Sequence, residues 1–283
     1  MNLTEQQLTL NGLSVHYLRA GAASDGAPPL LLLHGAVGGA RLCWGPALPL
    51  LGESHLVIAP DLPGFGGSAA LPTMRAHALL AWLEGLLAAL DADQIVIVGS
   101  SLGALLARLY AASRPDRVRA LVLVNGGSLP NVSPTMRRLA QQPVLGRGAF
   151  QVVARSTLAP GELRRAVHAQ AVLSAEFLAQ AHASAGAFAE LMRAFAADEP
   201  PQQRTPGAPT LLLWGADDQV NTLQEGERIK NAIPGATLIP VSGCGLLPQH
   251  EAPDVFVWQI ARFLVNLDRP ARPDLPGVSL LQS

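Results

Sequence analysis

The sequence predicts an α/β protein, a doubly wound and mostly parallel sheet interrupted by a block of helices. Three observations carry that expectation. Short apolar runs recur at Leu30–Leu33, Leu56–Ala59, Gln94–Val98, Val118–Val124, Thr210–Trp214 and Thr237–Val241, and they lack the alternation of a half-exposed strand. Such runs suit parallel strands covered on both faces. Segments of helical length lie between them, and strands alternating with helices build a sheet through right-handed crossovers. Between Gly126 and Pro206 the rhythm changes to Ala- and Arg-rich helical segments punctuated by Pro130, Pro134, Pro143 and Pro160.

In chain order, Asn11-Gly12 between two short apolar stretches predicts an opening antiparallel hairpin. The strand Leu30–Leu33 runs into a Gly-rich loop, and a helix over Leu42–Leu51 follows. After the strand Leu56–Ala59, Thr73–Leu90 reads as a long amphipathic helix. The helical block 126–206 is expected to be an insertion acting as a lid on a core formed by 1–125 and 207–267. The core closes with helices at Leu223–Ile233 and Pro253–Leu267. The tail 268–283 has three prolines and no periodicity.

At 283 residues, 49% hydrophobic and 14% charged, the chain can bury a sizeable core beneath a sparsely charged surface. A net charge of −1 supplies no overall field for nucleic acid or anionic lipid, so neither nucleic acid nor membrane is an expected partner. The opening MNLTEQQLTL has no basic region leading into an apolar stretch, and no run reaches about 18 apolar residues, which reads as soluble and cytoplasmic. Cys43 and Cys244 form neither a disulfide framework nor a metal-spaced cluster and are expected to be buried thiols. Neither a metal nor an organic cofactor is expected.

Gly99-Ser100-Ser101-Leu102-Gly103 stands between an apolar strand and a helix-like stretch. A G-x-S-x-G turn in that context is a nucleophile elbow, tight enough that small neighbours are required and the serine is pushed out above the sheet. Three further stretches accompany it in order: HGAVGG at 34–39, DLPGFGGS at 61–68 and LLLWGADD at 211–218. Together they make the chain resemble the α/β-hydrolase fold family over nearly its whole length. The resemblance implies that Ser101 is the nucleophile and Asp218 the acid that orients the base. It also implies that the backbone amides of Ala36 and Leu102 form the oxyanion hole. His34 is read as a hydrogen bonder supporting its loop, and Asp61 as the residue that fixes the turn after its strand.

The family's triad histidine belongs to a G-H-x-x-x-x-E-x-P segment, whereas this chain has Gly245-Leu246-Leu247-Pro248-Gln249-His250-Glu251-Ala252-Pro253. Glu251 and Pro253 hold the register and place Leu246 where the histidine stands. Three accounts follow. The chain is a serine hydrolase altered at this position, or His250 substitutes as base from four residues downstream, or the fold serves a task without serine activation. Loss of a triad base costs on the order of a millionfold in turnover. The expected function is hydrolysis of an ester, or of a carbon-carbon bond beside a carbonyl, impaired by Leu246. The alternative is a lyase, a cyclase or a small-molecule binder. The alanine-rich insertion suggests an apolar ligand, the resemblance implies a small carbonyl-containing substrate, and the oligomeric state is left open.

Overall fold

The computed structural model describes residues 3–24, 27–128, 132–198 and 205–267. Eight strands form one sheet: β1 Thr4–Leu10, β2 Leu13–Ala20, β3 Leu30–Leu33, β4 Val57–Pro60, β5 Ile95–Ser100, β6 Val118–Val124, β7 Thr210–Gly215 and β8 Thr237–Val241. Their spatial order is β1-β2-β4-β3-β5-β6-β7-β8. The pairings β1/β2 and β2/β4 are antiparallel and all others are parallel. The opening hairpin turns on Asn11 and Gly12, both at positive φ (51° and 79°), the conformation that two-residue hairpin loops demand. The tail 268–283 lies outside the described residues.

The unbroken apolar runs divide their side chains between two cores. Leu31, Leu33, Ile97, Leu121, Leu123 and Leu212 face one layer. That layer contains α3 (Ala76–Ala89), α4 (Leu102–Ser113) and α10 (Leu223–Ala232). Leu30, Leu32, Val96, Val98, Val122 and Leu211 face the other. There α1 (Ala40–Trp44), α2 (Ala47–Leu51) and α12 (Pro253–Leu267) supply Trp44, Leu48, Phe256 and Ile260. Burial on both faces is why these strands show no polar alternation.

The helix expected over Leu42–Leu51 is two short helices, α1 and α2, parted at Gly45-Pro46. Pro46 has no N–H to continue the first helix, and the His250 ring occupies the space where a Cβ on residue 45 would stand. Helix α3 begins at Ala76, after Arg75 in extended backbone, and not at Thr73. Between β6 and β7 the chain forms α5 Pro134–Gln141, α6 Leu145–Thr157, α7 Pro160–Ala166, a 3-10 turn at Gln170–Val172, α8 Ala175–Ala183 and α9 Ala185–Ala197. No strand occurs among the described residues of this insertion. Its Phe150, Phe177, Phe188 and Leu191 join the first core, so the insertion is packed onto the sheet's helical layer. A short α11 (Pro248–Glu251) precedes α12.

Phe256 is fully buried and meets the Trp44 ring at 6.4 Å between centroids. Phe256→Ala is expected to cost about 3–5 kcal/mol in urea unfolding. The half-exposed neighbour change Val255→Ala should stay within about 0.5 kcal/mol. Equal effects would show that α12 does not anchor the second core.

Candidate active site

Strand β5 ends at Ser100, and Ser101 turns the chain into α4 with φ 52° and ψ −114°. A positive φ on a residue with a Cβ is sparsely populated and costs of order 1–3 kcal/mol. The Ser101 N–H donates to Val124 O at 2.9 Å, which ties the turn to the end of β6. Glycines on either side leave the required room. A Cβ on Gly103 would run into the Leu33 carbonyl, and one on Gly99 into the Gly103 backbone. Gly35 lies against Ser101, where a Cβ would come 2.9 Å from the serine Cβ. Ala36 is therefore the residue next to the one that touches Ser101, and Leu102 opens α4, where the first N–H groups have no intrahelical acceptor.

The loop carrying Ala36 is pinned from three sides. His34 is fully buried, and its Nδ1–H donates to Gly35 O at 2.8 Å while Nε2 accepts the Leu62 N–H at 2.8 Å. One ring nitrogen donates and the other accepts, so the imidazole is neutral, and burial lowers its pKa. Asp61 Oδ1 accepts from Ala40 N–H at 2.7 Å, and Oδ2 meets Gly67 N–H at 2.9 Å and His16 Nδ1 at 2.7 Å. From the insertion, the Ser184 hydroxyl reaches Ala36 O at 3.0 Å and accepts the Gly38 N–H at 3.2 Å.

Asp218 lies after β7 and is 5% exposed. Its Oδ1 accepts the N–H groups of Val220 (2.8 Å) and Asn221 (3.0 Å), and Oδ2 accepts a short hydrogen bond from Asn125 Nδ2. Burial raises its pKa above the ordinary carboxylate value, against the pull of the Asn221, Val220 and Asn125 donors. The adjacent Asp217 is half-exposed and pairs with His168 Nδ1 at 3.1 Å.

Asn125 joins these parts, and its importance is not visible in the sequence. It is fully buried with φ 43°. Its Oδ1 accepts the Gly215 N–H at 2.9 Å, and its Nδ2 also donates to Gly245 O at 3.0 Å. Its chain neighbours Val124 and Gly126 both contact the Ser101 backbone. The Asn125 side chain thus connects the end of β6 to the Asp218 loop and the residue before Leu246, while the backbone on either side of it meets the elbow. The only sequence signal is the polar Asn-Gly-Gly that ends VRALVLV.

Leu246 is partly buried and packs on the first core, with its N–H donating to Ala166 O at 2.8 Å. Its loop is held by Glu251. Oε1 accepts the N–H groups of Gly245 and Leu247, each at 3.0 Å, and Oε2 accepts those of His168 (2.7 Å) and Ala169 (2.8 Å). His250 points elsewhere. Its Nε2–H donates to Leu42 O at 2.6 Å, its ring stands edge-on to Phe177, and burial lowers its pKa. Both cysteine thiols are buried, which pushes each up to about 11.

A cavity of about 620 Å³ lies between the loop 63–75 and α5, α6 and α9. Met74, Arg75, Arg147, Glu190 and Arg193 line it, while Ser101, Asp218 and Leu246 do not. Its walls are more polar than the insertion's alanine content implies. The described residues contain no group of His, Cys, Asp and Glu able to hold a metal ion and no helix long and apolar enough to cross a membrane.

Residues 28–253 match the family model described as alpha/beta hydrolase fold, and the chain belongs to that family. It is 30% identical over 262 residues to the 2-hydroxymuconate semialdehyde hydrolase of a Pseudomonas strain, spanning 86% of this chain and 89% of that protein. It is 28% identical over 278 residues to the 2-hydroxy-6-oxo-2,4-heptadienoate hydrolase of Pseudomonas putida, covering 85% and 90%. Among solved structures, a thermophilic esterase from Thermogutta terrifontis shares the fold with a TM-score of 0.76 at 22% identity, over 94% of this chain and 100% of that one.

The raised Asp218 pKa has a signed consequence. Burial favours the neutral acid, so the folded chain keeps this proton to a higher pH than the unfolded chain. The stability that Asp218 contributes is full below the ordinary carboxylate pKa and is lost as pH rises through the raised value. The unfolding free energy of the unmodified chain, less that of Asp218→Asn, should fall across that interval. A flat or rising difference would mean that the three donors outweigh burial.

Proposed function

We propose that this chain is a serine-hydrolase scaffold for an ester, or for a carbon-carbon bond beside a carbonyl, disabled at Leu246. In this reading Ser101 is the nucleophile, Asp218 the orienting acid, and the Ala36 and Leu102 amides the oxyanion donors. The insertion 126–206 is a lid, and its Phe150, Phe177, Phe188 and Leu191 pack in the core that α4 also enters. The observation that carries the reading is the support around residue 246. Glu251 holds the loop, and Asn125 ties it to Asp218, although no imidazole is there to be positioned. A serine hydroxyl without a base is a weak nucleophile, and the oxyanion donors alone leave only about a thousandfold over water. His250 is given no part as base, because its Nε2 is engaged with Leu42 O. The two Pseudomonas relatives, named as hydrolases of 2-hydroxy-6-oxo-2,4-heptadienoate and of 2-hydroxymuconate semialdehyde, support a small carbonyl substrate.

One observation favours a second reading, a pocket that binds or converts a small carbonyl compound without an acyl-enzyme. Asp218 has three N–H donors and no need of an imidazole, so its retention is compatible with a site that has settled around leucine. One experiment separates the two. Turnover of a short activated ester by Leu246→His should exceed that of the unmodified chain by at least about a thousandfold, and Ser101→Ala should abolish the gain. If histidine restores nothing, or the gain survives Ser101→Ala, the disabled-hydrolase reading fails and the second takes its place.

A further inference from the structure

We propose that the outward side of α5 and α6 docks on an anionic phospholipid surface. Helix α6 turns Gly146, Phe150 and Ala154 inward. The opposite side presents Leu145, Gly148, Val152 and Arg155 at helical spacing, and the turn before it adds Val144. Val144 is 81% exposed, Leu145 69% and Val152 70%. A single exposed aliphatic residue is ordinary, but several gathered along one helix and its leading turn mark a contact surface.

The charge around them selects the partner. The chain has 20 basic and 21 acidic residues, yet residues 134–166 contain six arginines and one glutamate. The near-zero total therefore hides a basic insertion on an otherwise acidic molecule. Glu162 is already paired with Arg165, and Glu190 of α9 with Arg147 and Arg193. Among the described residues, the exposed Arg138 and Arg155 have no ion-pair partner. A second copy is a poor occupant, since a two-fold contact would set this basic face against itself. Aliphatic tips beside arginines are the pattern of a helix lying at the headgroup boundary, with apolar side chains in the acyl region and guanidinium groups at the phosphates. Such a helix rests on a bilayer without crossing it.

The test is co-sedimentation of the full chain with vesicles of phosphatidylcholine alone and of phosphatidylcholine mixed with phosphatidylglycerol, at low and high salt. Binding to the anionic vesicles only, weakened by salt, is expected. Arg138→Gln with Arg155→Gln should weaken it by at least about tenfold. Val144→Ser with Leu145→Ser should weaken it several-fold. These side chains are exposed, so an unchanged urea midpoint should certify that each variant is folded. Failure to bind anionic vesicles, or binding by either double variant as tight as that of the unmodified chain, overturns the proposal. Lipid-free dimerisation that Val144→Ser with Leu145→Ser abolishes also overturns it, because the face would then belong to a second copy.

Discussion

The candidate site depends on one buried carboxamide. Asn125 stands where β6 ends, and its two polar atoms satisfy groups from three other places in the chain: the Gly215 N–H at the end of β7, the Asp218 carboxylate and the Gly245 carbonyl. Each of these lies in a region closed to water, where an unpaired polar group costs about 1–3 kcal/mol. Donor and acceptor must both be present in one side chain, because the partners include an N–H and two oxygens. A carboxylate there would repel Asp218, and an aliphatic residue would strand all three partners. The carboxyl ends of β6 and β7 are locked to each other through this contact, the Ser101–Val124 hydrogen bond ties the end of β5 to them, and residue 246 is placed as a by-product.

Around that lock the backbone is under tension. Ser101 and Asn125 both have positive φ, and they sit on adjacent strands joined by the Ser101–Val124 hydrogen bond. Two strained residues are tolerable because the sheet beneath them is buried on both faces, with Leu32, Val98, Val122 and Leu213 packed in one core and Leu33, Ile97 and Leu123 in the other. The arrangement separates tasks. The cores stabilise the strands, and the strand ends carry the geometry that no isolated turn would adopt.

Much of the fold was legible because its signals are local. Val118–Val124 and Thr237–Val241 are strands over the spans expected, and the hairpin follows from Asn11-Gly12. The errors were local too. Pro46 interrupts what hydropathy reads as one helix, and α3 starts three residues late, after extended backbone at Arg75. The long-range contacts were not legible. Nothing near Ser184 indicates that its hydroxyl will meet the loop of Ala36, 148 positions away. Asn125 likewise acts on a residue 93 positions distant. His250 looks available in sequence, but its orientation is decided by the Leu42 carbonyl, 208 residues earlier. Whole-chain charge is likewise an average, and it does not show that six arginines and one glutamate gather in residues 134–166.

The four N–H groups gathered by Glu251 have a consequence for heredity. Two of them flank residue 246, and none belongs to it, so the loop keeps its course whichever side chain that position carries. A leucine codon and a histidine codon can differ by a single base. A lineage can therefore exchange the two by one point mutation that leaves the four Glu251 hydrogen bonds in place and gives up only the packing of one partly buried leucine. Selection for abundance would feel only that packing, whereas selection on chemistry would see an imidazole gained or lost.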